Sequence, residues 1–182
     1  MRFIIFVTAL LLPALASAEA SAREPYMTQE KFLFSDDKHE QAKNWATCAA
    51  LYNTLAELNQ SLWNNPAKAK QFSNMGNGAE VAVAMTFVIP ALGTSSEDVS
   101  QSRFNATWDY AKVAMKEMPS AVQTAINANL EMGMKGTTDL KNEVQAVIDG
   151  ATVCMKNIER QQTYIDIWRE LATSGLLTLP KQ

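Results

Sequence analysis

Apolar side chains recur along most of this chain at alternating steps of three and four, which puts them on one face of an α-helix. Between Ser35 and Trp63 the recurring positions are Trp45, Cys48, Tyr52, Leu55, Asn59 and Leu62. Leu51 and Leu58 widen that stripe beyond a coiled-coil seam, as in a globular bundle. Ser35 is the expected N-cap, with Asp36 and Asp37 favourable beside the positive end of the helix dipole. "NNP" ends the helix, because the residue before Pro66 resists the α conformation, and Pro66 can open the next helix as its first residue.

The second segment starts polar and becomes almost wholly apolar from Val81 to Gly93. "NMGNG", with two glycines, is the expected interruption, since each costs about 1 kcal/mol against alanine in a helix. "VAVAMTFVI" also has strand composition, but a lone strand has no partner in this chain, so a central helix covered by others is expected. Insertion of this run into a membrane is the alternative; it is too short to span one alone. "GTSSED" reads as a loop ending in a helix start capped by Ser95 or Ser96, with Glu97 and Asp98 in the first turn. That helix carries Phe104, Trp108, Ala111 and Met115 on one face and is expected to stop before Pro119. A shorter helix over 120–132 follows, then a turn at "GMKGTTD". Thr138 or Asp139 caps a last long helix to about Ala172, whose seam includes Leu140, Val144, Val147, Ala151, Cys154, Ile158, Gln161 and Ile165.

The fold class that results is all-α: a single antiparallel bundle of four long helices plus one short helix. Its domain organisation is a cleaved signal peptide over 1–18, an N-terminal arm over 19–35 and the bundle over 36–182. Met1-Arg2, the apolar "FIIFVTALLLPALA" and the small residues "ASA" have the order of a secretory signal, with cleavage expected before Glu19. The apolar stretch falls short of the roughly 20 residues a spanning helix needs, so no permanent membrane anchor is expected after cleavage. The localisation this implies is periplasmic or secreted. Tyr26, Phe32 and Phe34 are expected to tack the arm onto the body; a partner-binding arm is the alternative.

Export changes the meaning of the two cysteines. Two cysteines in an oxidising compartment imply one disulfide, Cys48–Cys154, joining the first and last long helices. Both fall on apolar seams. Ala46, Ala49 and Ala50 flank one, and Gly150 and Ala151 lie near the other, so the backbones can approach closely enough to be bridged. If the two helices run antiparallel through the bridge, facing residue numbers sum to about 202. Tyr52 then faces Gly150, Leu55 faces Val147, Leu62 faces Leu140, Trp45 lies near Ile158 and Gln41 meets Gln161. A redox-active pair is disfavoured, since there is no CxxC and neither cysteine opens a helix.

Composition narrows the function only by exclusion. Removing Arg2 takes the net charge from −3 to −4, and no basic stripe marks a nucleic-acid surface. His39 is the sole histidine and sits in the charged "DDKHE", where Asp36, Asp37, His39 and Glu40 could hold an ion only weakly. No CxxCH offers covalent haem attachment, no nucleophile motif accompanies His39, and "NMGNG" lacks the Lys-Ser/Thr of a phosphate loop. No metal and no cofactor are therefore expected. Glu80, just before the apolar run, is the one candidate general acid, for a cell-wall-acting enzyme; a first-turn helix charge explains it more simply. Met115, Met118, Met132, Met134 and Met155 read as core filler or as an adaptable binding groove. The function expected is that of a non-enzymatic protein-binding factor of the cell envelope: an adaptor, inhibitor, immunity factor or chaperone-like protein. A cofactor or small-ligand binder using the bundle interior is the alternative.

Overall fold

A computed structural model describes residues 35–92 and 101–177. The signal segment, the arm up to Phe34 and the "GTSSED" helix start lie outside the described residues. Five helices occupy the described chain: α1 Lys38–Ser61, α2 Pro66–Ala91, α3 Gln101–Met134, α4 Leu140–Met155 and α5 Ile158–Thr173. No strand occurs among the described residues. The all-α bundle is as expected; several element boundaries are not.

α1 is capped by Asp37 rather than Ser35. The Asp37 carboxylate accepts from the backbone N–H groups of His39 at 2.8 Å and Glu40 at 3.3 Å, while the Ser35 hydroxyl donates to the Glu40 carboxylate. The helix is the centre of the bundle. Every residue from Trp45 to Tyr52 is buried, two full turns with no outward face. Alanines at 46, 49 and 50 explain how: small side chains all round the helix let α2, α3 and α4 pack against it at once. The apolar run from Val81 also lies inside, with Ala82, Val83, Ala84, Met85 and Val88 in the core. No described helix is long and apolar enough to cross a membrane.

The interruption expected at "NMGNG" does not occur, and α2 is continuous through it. Gly76 and Gly78 are buried where other helices press closest: a Cβ on Gly76 would collide with the Asn53 side chain, and one on Gly78 with Gln161 and Ile165. Close packing offsets the poor helix propensity. The stop expected at Pro119 fails likewise. α3 runs through it to Met134, because Phe104, Trp108, Ala111, Ala114, Ile126 and Leu130 keep one buried face before and after the proline. Packing of a long face outweighs a local breaker that removes one backbone donor.

The expected last long helix is two. After Met155 the turn tightens, with Asn157 N–H bonding the Cys154 carbonyl at 3.0 Å, and the Asn157 amide donating to the Val153 carbonyl at 3.1 Å. α4 packs on α1 and α3, whereas α5 swings across to α2. Cys48 and Cys154 form the expected disulfide with Cα atoms 5.6 Å apart, at the end of α4 and just before the swing. Leu62 and Leu140 line one groove at the far end of α1, so α1 and α4 run antiparallel through the bridge. Past the break the 202 rule lapses. Ile158, expected beside Trp45, is 40% exposed, and Trp45 instead meets Tyr164 edge-on with ring centroids 5.7 Å apart. Gln161, expected to pair with Gln41, turns its amide to the Met75 carbonyl of α2 at 3.0 Å.

Candidate functional site: an apolar groove at the end of the bundle

Two connections shape the lower end of the molecule. Leu62 and Trp63 N–H both bond the Leu58 carbonyl, and Asn64 then turns the chain with a positive φ of 48°. Asn65 caps α2 by accepting from Lys68 N–H at 3.1 Å, with Pro66 as first residue. So abrupt a turn leaves Leu62 and Trp63 beyond the last turn of α1, outside the core. At the other connection Gly136 has φ 74°, with Thr137 N–H bonded to the Met132 carbonyl and Gly136 N–H to the Gly133 carbonyl. This is a Schellman ending, which needs a residue tolerant of the left-handed conformation. Gly133 then lets Leu140 come close, since a Cβ there would lie 2.8 Å from the Leu140 Cα. Asp139 caps α4 by accepting from Lys141 N–H at 2.9 Å, one of the two caps expected.

Between these turns α1, α3 and α4 splay around a groove of about 350 Å³. Leu58, Leu62, Leu130, Met134, Leu140 and Val144 line it. Leu62 is 60% exposed, Met134 66% and the adjacent Trp63 43%. Large apolar side chains left this open beside an apolar cleft mark a contact surface more often than isolated exposed ones do. Thr54 lies in the wall, 1% exposed, and its hydroxyl has no hydrogen-bond partner. Glu57 and Ser61 on α1 and Asn127 and Glu131 on α3 complete the lining, which contains no lysine or arginine. Glu57 accepts from the Gln123 amide at 2.9 Å, and Glu131 pairs with Lys135 at 3.3 Å.

The residues singled out from sequence stand elsewhere. Glu80 is half-buried on α2; burial raises its pKa, while the Asn53 amide at 3.4 Å and the charge of Lys116 pull the other way. Its partners are thus an amide and an ammonium. His39 is exposed and lies against Phe87, ring centroids 5.3 Å apart, with Phe87 in turn edge-on to Tyr110. Among the described residues no three His, Cys, Asp or Glu side chains converge as a metal site would require. Tyr52 is fully buried and burial pushes its phenol well above the ordinary range, so it stays neutral.

Sequence reasoning named Leu62 and Leu140 as facing residues, and both line the groove. It treated them as a closed seam and did not single out Thr54, Glu57, Leu130 or Glu131 as site residues. One signal was present: "LW" directly before "NNP" carries more apolar surface than a helix end requires. Comparisons with protein-family models, curated proteins and solved structures find no match to this chain.

Proposed function

We propose that this protein is an exported, non-enzymatic binding factor, periplasmic or secreted, that holds another envelope protein in the groove between α1, α3 and α4. The observation that carries the reading is the exposure of Leu62 and Met134 in a cleft with a mainly apolar lining. Such surface is costly in water and is retained where a partner covers it. Export is supported by the signal-like N-terminus and agrees with a disulfide, since disulfides persist in oxidising compartments. Adaptor, inhibitor, immunity and chaperone-like roles all use such a contact. The enzyme reading has less support, because Glu80 lines none of the clefts described and burial accounts for its raised pKa.

The test is site-specific photo-crosslinking in cells that export the full chain. A crosslinker at Leu62 is compared with one at Tyr110, which is also exposed but stands with Phe87 and His39 at the opposite end of α1. A discrete protein adduct from position 62, absent from position 110 and lost on Met134→Ser, is expected. The same adducts from both positions, or none from position 62, would sink the reading.

A further inference from the structure

We infer that the groove receives a short amphipathic helix of about two turns, with leucine-type anchors on one face and lysine or arginine beside them. The inference rests on the binding reading above and gives the partner a chemistry. Length comes first. The lining runs from Thr54 to Leu62 on α1 and from Asn127 to Met134 on α3, which at helical rise is about 11–12 Å along each wall. Two turns of a third helix fit that length, enough for anchors at i, i+3 or i+4, and i+7.

Shape agrees, because the walls are themselves helices. Five residues reach the cleft from the α1 side, Thr54, Glu57, Leu58, Ser61 and Leu62, and four from α3, Asn127, Leu130, Glu131 and Met134, all at the three-and-four spacing of one helix face. Rows of this kind leave grooves that accept the ridge of another helix. An extended strand finds no sheet edge here, since no strand occurs among the described residues.

Charge selects the flanks. Glu57 and Glu131 stand on opposite walls, and the lining has no cation. Lys135, on the same helix as Glu131, answers only that one carboxylate, through a pair that is largely exposed. Glu57 bonds only a neutral amide at 2.9 Å. An incoming lysine or arginine therefore meets uncompensated negative charge, whereas an acidic flank meets like charge. Ser61 and Asn127 add polar positions to the two walls, and the Thr54 hydroxyl, buried and without a hydrogen-bond partner, lies behind them.

The experiment uses the oxidised mature protein and two dye-labelled 14-residue peptides with the same leucine pattern, one with lysine and one with glutamate at the polar positions. Anisotropy titrations are run at low and at about 0.15 M salt, where exposed charges are screened beyond about 8 Å. The lysine peptide should bind saturably and at least tenfold more tightly than the glutamate peptide. Glu57→Gln with Glu131→Gln should weaken it about 3- to 10-fold, the scale of two exposed charge contacts. Leu62→Ser with Met134→Ser should abolish binding. Equal affinity for the two peptides overturns the charge assignment, and binding that survives Leu62→Ser with Met134→Ser overturns the groove as the seat of the helix. Neither peptide binding overturns the helical ligand, while the crosslink from position 62 reports separately on whether the groove has a protein partner.

Discussion

Glu80 shows how a single residue is set by its surroundings. It sits half-buried on α2 with Asn53 of α1 and Lys116 of α3 as neighbours, and loss of hydration outweighs both, so its pKa is raised from the ordinary 4.5. The protonated form is thus favoured in the folded state relative to the unfolded chain. Its contribution is fully present below about pH 4.5 and is lost as the pH rises through the higher folded value. Above that value the ionised carboxylate opposes folding. Glu80→Gln keeps the shape without the charge, so it should match the wild type in urea denaturation near pH 4 and be the more stable of the two at pH 7. A wild type more stable than Glu80→Gln at pH 7 would mean that Lys116 and Asn53 dominate over burial. The raised pKa is therefore a consequence of packing, and no reaction is needed to account for it.

At the scale of elements, α2 meets α1 and α5 through two glycines whose surroundings differ. At Gly76 the obstacle to a Cβ is the end of the half-buried Asn53 side chain, whose bond to Glu80 is long at 3.4 Å, so it can swing aside at small cost. At Gly78 it is Gln161, which is 2% exposed and bonded to the Met75 carbonyl, together with Ile165. Alanine gains about 1 kcal/mol of helix propensity at either position. Gly76→Ala should therefore be close to neutral, while Gly78→Ala breaks a buried hydrogen bond and should cost a net ~1–2 kcal/mol. Chemical denaturation measures both, and in a Gln161→Ala background the Gly78→Ala penalty should shrink. These contacts also mark what could be read in the sequence. The three-four spacing of Trp45, Cys48, Tyr52 and Leu55 names α1 and its partner seam from residue types alone. That α2 continues through Gly76 and Gly78, and α3 through Pro119, depends on neighbours distant in sequence. The break at Asn157 has no glycine or proline to announce it. Leu62 and Leu140 were legible as a facing pair, but the groove between them exists because Asn64 and Gly136 turn the chain away before the seam closes, which no local pattern encodes.

For the whole molecule, the disulfide lies where the chain changes allegiance. α4 runs along α1 and α3 up to Cys154; four residues later α5 sets off across α2. Beyond the bridge α5 is held by packing of Ile167, Trp168 and Leu171 on the core, by Tyr164 against Trp45, by Gln161 on Met75 and by its close approach to Gly78. Cys48 and Cys154 are separated by 106 residues, so the bond closes most of the described chain into one loop. The chain-entropy model assigns such a loop about 4–5 kcal/mol, comparable to the total stability of a modest domain. For a domain of this size each kcal/mol moves the melting temperature by about 2–4 °C, so reduction should lower Tm by roughly 10–20 °C. Helical circular dichroism below the transition should persist, because the apolar core around Trp45, Leu51, Tyr52 and Val83 favours the fold independently of the bond. Cys48→Ala and Cys154→Ala should each melt like the reduced protein, and the double variant no lower than either, since one interaction is lost in all three. Hydrogen exchange gives the order of events: α5 should lose protection before α1, because the bond ties the end of α4 to the central helix and α5 begins beyond it. A Tm unchanged by reduction, or free thiols in the oxidised monomer, would show that packing alone carries α4 and α5.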